Sequence, residues 1–264
     1  MLSTERFSSR VENYVKYRPH YPPEIIHSLI EQTGLTQKHV VADIGSGTGI
    51  SSELFLENGN VVYGVEPNEA MRKAGEQYLA LYMNFRSIDG TAEDTTLLDR
   101  SIDYILAGQA FHWFNLEPSY SEFKRIVEPN GWLVILWNDR QTDTTPFLID
   151  YEQLLLDFGT DYVQINHRNV HTRSAPDAGI HGSNSTRVYD FFHGRDILEL
   201  AFENNIMMDY AGLEGRLLSS SYVPAAGEPN YEAMLDRLQA LFSKHAIDGG
   251  VEMRYTTLLF AGQL

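Results

Sequence analysis

The sequence predicts an α/β fold: a mostly parallel, doubly wound sheet with helices on both faces. Short β-branched runs such as VVADIG (residues 40–45) are apolar nearly throughout, as strands covered on two faces must be. They alternate with stretches of helical period, a pace that makes βαβ units with right-handed crossovers. Glycines gather at the first strand-to-helix junction, in DIGSGTG (residues 43–49).

Residues 1–21 are rich in aromatic and charged side chains and run into RPHYPPE. Pro22 and Pro23 stop any earlier helix and pre-set the first turn of the next. That helix places Ile25, Ile26, Leu29 and Ile30 at helical spacing, and Gly34 closes it. VVADIG is the first strand, and ISSELFLENG (50–59) is the helix after the glycine loop. NVVYGVE (60–66) is the second strand, followed by a helix that Asn68 N-caps and that reaches about residue 81. A third strand lies near 84–87, and SIDYILAGQ (101–109) is the fourth. A helix spans 116–127, EPNG (128–131) turns the chain, and WLVILW (132–137), apolar throughout, is a central fifth strand.

The second half is less regular. Residues 146–158 read as a helix with Tyr151, Leu154, Leu155 and Phe158 on one face. Residues 159–190 are polar and loop-like, a length without periodicity that marks either a functional insertion or partial disorder. A short strand is expected at 188–192, helices at 209–219 and 231–245, and a last strand, RYTTLLFAGQL, at 254–264.

A chain of 264 residues with 43% apolar content holds one α/β domain with an added segment, or two small domains. The formal net charge of −16 either repels phosphate backbones and anionic lipid, which argues against nucleic-acid or membrane partners except at a local basic groove, or simply keeps the protein soluble. Without cysteine there are no disulfides, thiolate metal sites or cysteine nucleophiles. The first residues lack the apolar stretch of a signal peptide, and the run at 104–116 is too short and too polar to span a membrane. A cytoplasmic location is the default expectation, as a monomer or homodimer.

Glycines between a strand and a helix let the backbone turn tightly and bring helix N–H groups close to a ligand. Such a loop is either a nucleotide-binding turn, shared by several protein classes, or a purely structural one. Its spacing narrows the choice. Gly45, Gly47 and Gly49 give G-x-G-x-G, whereas the dinucleotide fingerprint is G-x-G-x-x-G. Glu66 ends the second strand, where an ionised carboxylate either accepts both hydroxyls of a ribose or is a solvated acid.

VVADIGSGTG, VYGVEPNEAM, DGTAEDTTL, DYILAGQAFHWF and EFKRIVEPNGWLVIL, in that order, resemble the motifs of class I S-adenosylmethionine-dependent methyltransferases. The resemblance extends to the methyltransferase-domain group that includes trans-aconitate methyltransferase-like proteins. NYVKYRPHYP (13–22) is similar to that group's N-terminal segment, and GLEGRLLSSSY (212–222) to its uncharacterised members. The core motifs cover residues 13–137, about half the chain. The resemblance implies a Rossmann-like, seven-stranded sheet whose last strand is antiparallel, with a helical and loop lid insertion. It divides the chain into a cofactor-binding core with an N-terminal lid segment (1–140), a substrate-side insertion with helices (141–252) and a final core strand (253–264).

By the same resemblance, Gly45, Ser46 and Gly47 wrap the methionine part of S-adenosylmethionine, and Asp43 lies near its ammonium or orders the loop. Glu66 holds the ribose, Pro67 packs on the adenine, and Ala92 and Glu93 meet the adenine edge. Thr91 departs from the Asp that many relatives carry. Gln109 and Ala110 border the sulfonium, while Tyr14 and Arg18 close over the cofactor. No metal is needed, because methyl transfer from a sulfonium is an in-line displacement served by proximity and alignment.

FHWF (111–114) follows the fourth strand and so lies at the carboxyl edge of the sheet, where ligands bind in such folds. His112 either takes a proton from an attacking hydroxyl or amine, lines the site, or has a structural role. Trp113 is a pocket wall contacting substrate, or core. Phe7, Tyr14, Tyr17 and Tyr21 form a lid or pack a terminal helix, and the Arg18 guanidinium suits clamping a carboxylate. His167 and His171 stand four apart but in a polar loop context, which argues against metal. Arg216, Ser219, Ser220 and Tyr222 face the substrate, or belong to a helix packed through Leu213, Leu217 and Leu218. The leading expectation is an enzyme that methylates an oxygen or nitrogen of a small molecule. Its rivals are a methyltransferase for protein or nucleic acid, a nicotinamide-dependent oxidoreductase, and a non-catalytic cofactor-binding scaffold.

Overall fold

The computed structural model describes residues 16–160, 162 and 184–264. They fall into two compact units. A sheet unit comprises 20–137, 184–202 and 257–264; a helical unit comprises 16–19, 138–162 and 203–256.

The sheet unit opens with α1 (Glu24–Thr33), whose Ile25, Ile26 and Leu29 are buried and which Gly34 ends in a left-handed turn. Then follow β1 (Val40–Ile44), α2 (Ile50–Glu57), β2 (Val61–Val65), α3 (Glu69–Tyr78) and β3 (Phe85–Ile88). Asn68 caps α3, its side-chain oxygen accepting from the N–H groups of Ala70 and Met71. After β3 come β4 (Ile102–Gly108), a 3₁₀ turn (Phe111–Trp113), α4 (Leu116–Ile126) and β5 (Val127–Arg140). The chain returns to the sheet through α6 (Asn184–Phe191), β6 (Leu198–Met208) and β7 (Val251–Gln263).

The seven strands lie in the order β3-β2-β1-β4-β5-β7-β6. β1 pairs parallel with both β2 and β4, β2 with β3, and β4 with β5. The last strand is antiparallel, as the sequence resemblance implied. The chain winds outward from β1 to β3, then crosses back to β4 on the other side of β1. That reversal opens a crevice beyond the carboxyl ends of β1 and β4, the usual ligand position in open α/β sheets.

One core holds this unit together. Phe111, Phe123 and Phe192 are fully buried with Ile105, Leu133 and Ile135. The rings meet edge to face: Phe111 and Phe191 lie 5.2 Å apart between centroids, and Phe123 and Phe191 5.8 Å. Such pairs add roughly 0.5–1.5 kcal/mol beyond their area burial.

Three elements differ from the sequence expectation. Residues 188–192 are not a strand but the end of α6. Val188, Phe191 and Phe192 are all buried, and their i, i+3, i+4 spacing is helical. The sixth strand is Leu198–Met208, where partly covered Leu198, Leu200 and Phe202 alternate with exposed neighbours. The turn expected at EPNG lies within β5. Val127 already pairs with Ile102, and the register shifts before Tyr104 meets Trp132, with Asn130 at a φ of 70°.

The helical unit contains α5 (Pro146–Phe158), α7 (Tyr210–Leu218) and α8 (Tyr231–His245), joined to the strand ends that run on from the sheet unit. Thr145 caps α5, Pro146 occupies its first turn, and Asp209 caps α7. Its core is separate: Leu148, Leu154, Leu213, Leu217, Met234, Leu238 and Met253 are all fully buried. Among the described residues, no helix is long and apolar enough to cross a membrane.

Phe123→Ala removes a fully buried ring from the sheet-unit core. Denaturant unfolding should show a loss of roughly 3–5 kcal/mol. A loss below about 1 kcal/mol would mean that α4 does not pack as described.

Candidate active site

Most of the sequence-predicted site residues assemble at the carboxyl edge of the sheet unit. Asp43 is the penultimate residue of β1 and fully buried. Its Oδ2 accepts from the Ser51 and Ser52 hydroxyls, both at 2.7 Å, in the first turn of α2. Its buried Oδ1 has no hydrogen-bond partner among the described residues. Burial pushes the Asp43 carboxyl up to about 6, opposed by the two serine hydroxyls and assisted by the neighbouring Glu66 charge.

The loop that follows is held by backbone geometry. Gly45 has a φ of 70°, and a Cβ there would lie 2.7 Å from that of Ala110. Only glycine combines the left-handed turn with that close approach. The N–H groups of Gly45 and Ser46 donate to the Val65 carbonyl at 2.8 and 3.2 Å, tying the loop to the end of β2. One residue on, Glu66 is buried, with Oε2 accepting from the Gly47 N–H at 2.9 Å and Oε1 from the Asn68 N–H at 2.8 Å. Burial raises its pKa, while these N–H groups and the Arg72 charge oppose the rise. Each Glu66 oxygen retains acceptor capacity, because a carboxylate offers about four lone-pair directions.

Pro67 links Glu66 to the Asn68 cap. The Thr91 hydroxyl accepts from the N–H groups of Glu93 and Asp94 at 3.3 and 3.2 Å, the turn-closing work a short acid also does. Ala92 is buried. Glu93 turns its carboxylate to the start of α4, accepting from the Asn115 N–H at 2.9 Å. Past β4, Gln109 has a φ of 56°, uncommon for a residue with a side chain and a conformation that concentrates at functional sites. Ala110 is buried, His112 is half-buried, and the exposed Trp113 ring lies 4.8 Å from that of His112.

The remaining predicted residues lie in the helical unit. The Arg18 guanidinium donates to the Ser219 carbonyl at 3.0 Å, Arg216 is buried and Tyr222 is half-buried. Phe7, Tyr14, His167 and His171 lie outside the described residues. Ser51 and Ser52 were not singled out from sequence; the signal was a serine pair opening the helix after an acid-ended strand. Among the described residues no cluster of side chains has metal-ligand character. A concavity lined by Ile30, Thr36, Gln37, Lys38 and Asn58 opens at the opposite, amino-terminal side of the sheet and holds none of this chemistry.

A switch-point crevice with a glycine loop and an acid after β2 is where open α/β sheets commonly hold ligands. Comparison with known proteins narrows the class. Residues 42–135 match the family described as a methyltransferase domain. An uncharacterized methyltransferase of Mycobacterium tuberculosis is 36% identical over 138 residues, 51% of this chain and 52% of that relative. One from Schizosaccharomyces pombe is 29% identical over 154 residues, covering 56% and 58%. The chain thus matches only a little over half the length of these relatives. A solved structure from Anaeromyxobacter dehalogenans, named as a type II methyltransferase, superposes with a TM-score of 0.65 at 21% identity, covering 94% of this chain and 98% of that one. A methyltransferase structure from Anabaena variabilis gives 0.58 at 20%, covering 93% and 98%.

Residues 42–135 are a methyltransferase domain of the class I S-adenosylmethionine-dependent kind. S-Adenosylmethionine is the cofactor of that class, and the residues present fit it. The partnerless, buried Asp43 Oδ1 suits a cation, and the spare acceptor capacity of Glu66 suits a diol.

The buried Asp43 has a pH signature. Between about pH 4 and 6 the unfolded chain releases the proton that folded Asp43 keeps, so folding loses stability as pH rises through this window. Asp43→Asn has no such ionisation. The melting temperature of the variant, relative to the native protein, should therefore climb from pH 4 to pH 6 and then level. A difference that does not change with pH would place Asp43 in a solvated setting.

Proposed function

We propose that this chain transfers the methyl group of S-adenosylmethionine to an oxygen or nitrogen atom of a small molecule. The observation that carries the reading is the Glu66 carboxylate, buried at the end of β2 and hydrogen-bonded to the glycine loop through Gly47. One acid thus shapes the loop and presents acceptors for the two ribose hydroxyls. When bound, the cofactor supplies a methyl carbon made electrophilic by its sulfonium.

The chain's own residues bind and orient. Gly45, Ser46 and Gly47 follow the methionine part, and Asp43 Oδ1 accepts from its ammonium. Pro67 and Ala92 cover the adenine with the backbone of Glu93, whose side chain is engaged with α4. Gln109 and Ala110 would border the reacting carbon, and Arg18 and Tyr14, the latter outside the described residues, are carried over from the sequence resemblance as residues that close over the cofactor. Alignment of this kind contributes up to roughly 7–11 kcal/mol in favourable cases. The acceptor would present its lone pair to that carbon, and the cofactor would leave as its neutral thioether. A hydroxyl or amine acceptor must also lose a proton, which His112 takes. Trp113, Arg216 and Tyr222 are the sequence's candidates for acceptor contact. The cofactor-binding core is the segment 1–140 with the final strand 253–264, and the segment 141–252 serves the acceptor. The acidic net charge of −16 disfavours nucleic-acid and anionic-membrane partners, and the protein is taken to act in the cytoplasm, as a monomer or homodimer.

S-Adenosylhomocysteine at about 100 times its Kd should stabilise the protein by about 2.7 kcal/mol, seen as a rise in melting temperature that NAD does not produce. A rise with NAD alone overturns the reading. Glu66→Ala should weaken S-adenosylhomocysteine by roughly 10–100-fold, the cost of charged hydrogen bonds. Unchanged affinity would remove Glu66 from the ribose.

His112→Ala should slow turnover on a hydroxyl or amine acceptor by roughly 10²–10⁴-fold without weakening S-adenosylhomocysteine. Full turnover on such an acceptor would eliminate it as the base.

A further inference from the structure

The loop between β3 and β4 has no regular structure, yet it carries Ala92 and Glu93, the residues read as the adenine edge. Its course is fixed from outside, by α4. Asn115, Ser119 and Glu122 stand four and three apart and so share one face of that helix and its cap. Asn115 makes no side-chain cap of its own. The Glu93 carboxylate supplies one, its Oε1 accepting from the Asn115 N–H at 2.9 Å and the Ser119 hydroxyl at 3.4 Å. Two residues on, Thr95 donates twice to Glu122 Oε1, through its N–H at 2.9 Å and through its hydroxyl. Thr95, Ser119 and Glu122 are all buried.

The loop is also tied to itself. The Thr91 hydroxyl holds the N–H groups of Glu93 and Asp94, and at Gly90 a Cβ would lie 3.0 Å from the carbonyl oxygens of Asp94 and Thr95. Thr96, directly after the Thr95 anchor, has a φ of 61°, a strain that persists only where the surroundings over-determine it. Burial would raise the Glu122 carboxyl, but Arg125 and Thr95 hold it down at about 2, so it is a permanently charged acceptor. Arg125 also reaches Asp99, at 2.6 Å, and keeps that partner whatever stands at position 122.

We propose that Glu122 is a positioning residue for the cofactor's base: through Thr95 it sets the Ala92–Glu93 backbone against the purine, and with it the preference for adenine over hypoxanthine. The proposal rests on the reading of this chain as a methyltransferase with Ala92 and Glu93 at the adenine edge. Adenine N1 accepts a hydrogen bond and suits a backbone N–H, whereas hypoxanthine carries a proton at N1 and opposes donor to donor. A buried mismatch of that kind is costly. Because hydrogen bonds weaken steeply with misalignment, a loosened loop loses discrimination between bases before it loses the rest of the ligand.

The test compares S-adenosylhomocysteine with S-inosylhomocysteine, which differ only in the base, by calorimetry on the full chain. The native protein should prefer the adenosyl ligand. Glu122→Gln should weaken that ligand at least about tenfold and the inosyl ligand far less, so that the preference narrows. Thr95→Val keeps the side chain's shape and deletes its hydroxyl; it should narrow the preference in the same direction, and it decides the question should Glu122→Gln not fold. Asp99→Asn loosens the same arginine without touching the Ala92–Glu93 turn and should leave the preference as it was. A folded Glu122→Gln or Thr95→Val in which both ligands weaken equally, or neither does, overturns the proposal and leaves the cofactor site standing. Equal binding of the two ligands by the native protein also overturns it. Binding of neither removes the methyltransferase reading itself, and the proposal with it.

Discussion

The site depends on two carboxylates buried where β1 and β2 end. Water is withheld from both, so each must find hydrogen-bond donors in the protein or in a ligand. Glu66 takes the N–H groups of Gly47 and Asn68, and Asp43 takes the hydroxyls of Ser51 and Ser52. These bonds give the glycine loop its course, because Gly47 must present its N–H to an acid nineteen residues away. They also leave acceptor capacity unspent, and a site with unspent buried acceptors is prepared for a ligand that donates.

The same logic with opposite sign operates in the helical unit. There the Arg216 guanidinium is buried among hydroxyls, with no acid among the described residues paired with it. The two units thus hold complementary deficits: one lacks a donor for a carboxylate oxygen, the other an acceptor for a cation. Each deficit costs stability in the unliganded chain.

Legibility in the sequence followed how local the responsible interaction is. The strands from β1 to β4 and the helices between them read correctly because their signals lie within a few residues: β-branched runs, Gly34 ending α1, Asn68 capping α3. The sixth strand did not. In LELAFENNIMM the period-2 pattern is broken by Ala201 and Asn204, while VYDFF supplied an apolar run that looked strand-like. Only the core decided that Val188, Phe191 and Phe192 face inward together, which a helix allows and a strand forbids. EPNG resembled a free turn for a similar reason, since its residues suit turns and only the neighbouring β4 makes it a bulge in β5.

By itself, the sequence determined the α/β class, the order of the motifs and the residue types at the carboxyl edge, because glycine spacing and strand-end acids are properties of adjacent residues. Tertiary structure decided what those residues have left to give. That Asp43 is held by Ser51 and Ser52 with one oxygen unclaimed, that Glu93 is committed to α4, and that Arg216 meets hydroxyls rather than acids all depend on partners brought together by packing. Burial and hydrogen-bond supply are set by the folded surroundings, and no linear pattern encodes them one residue at a time.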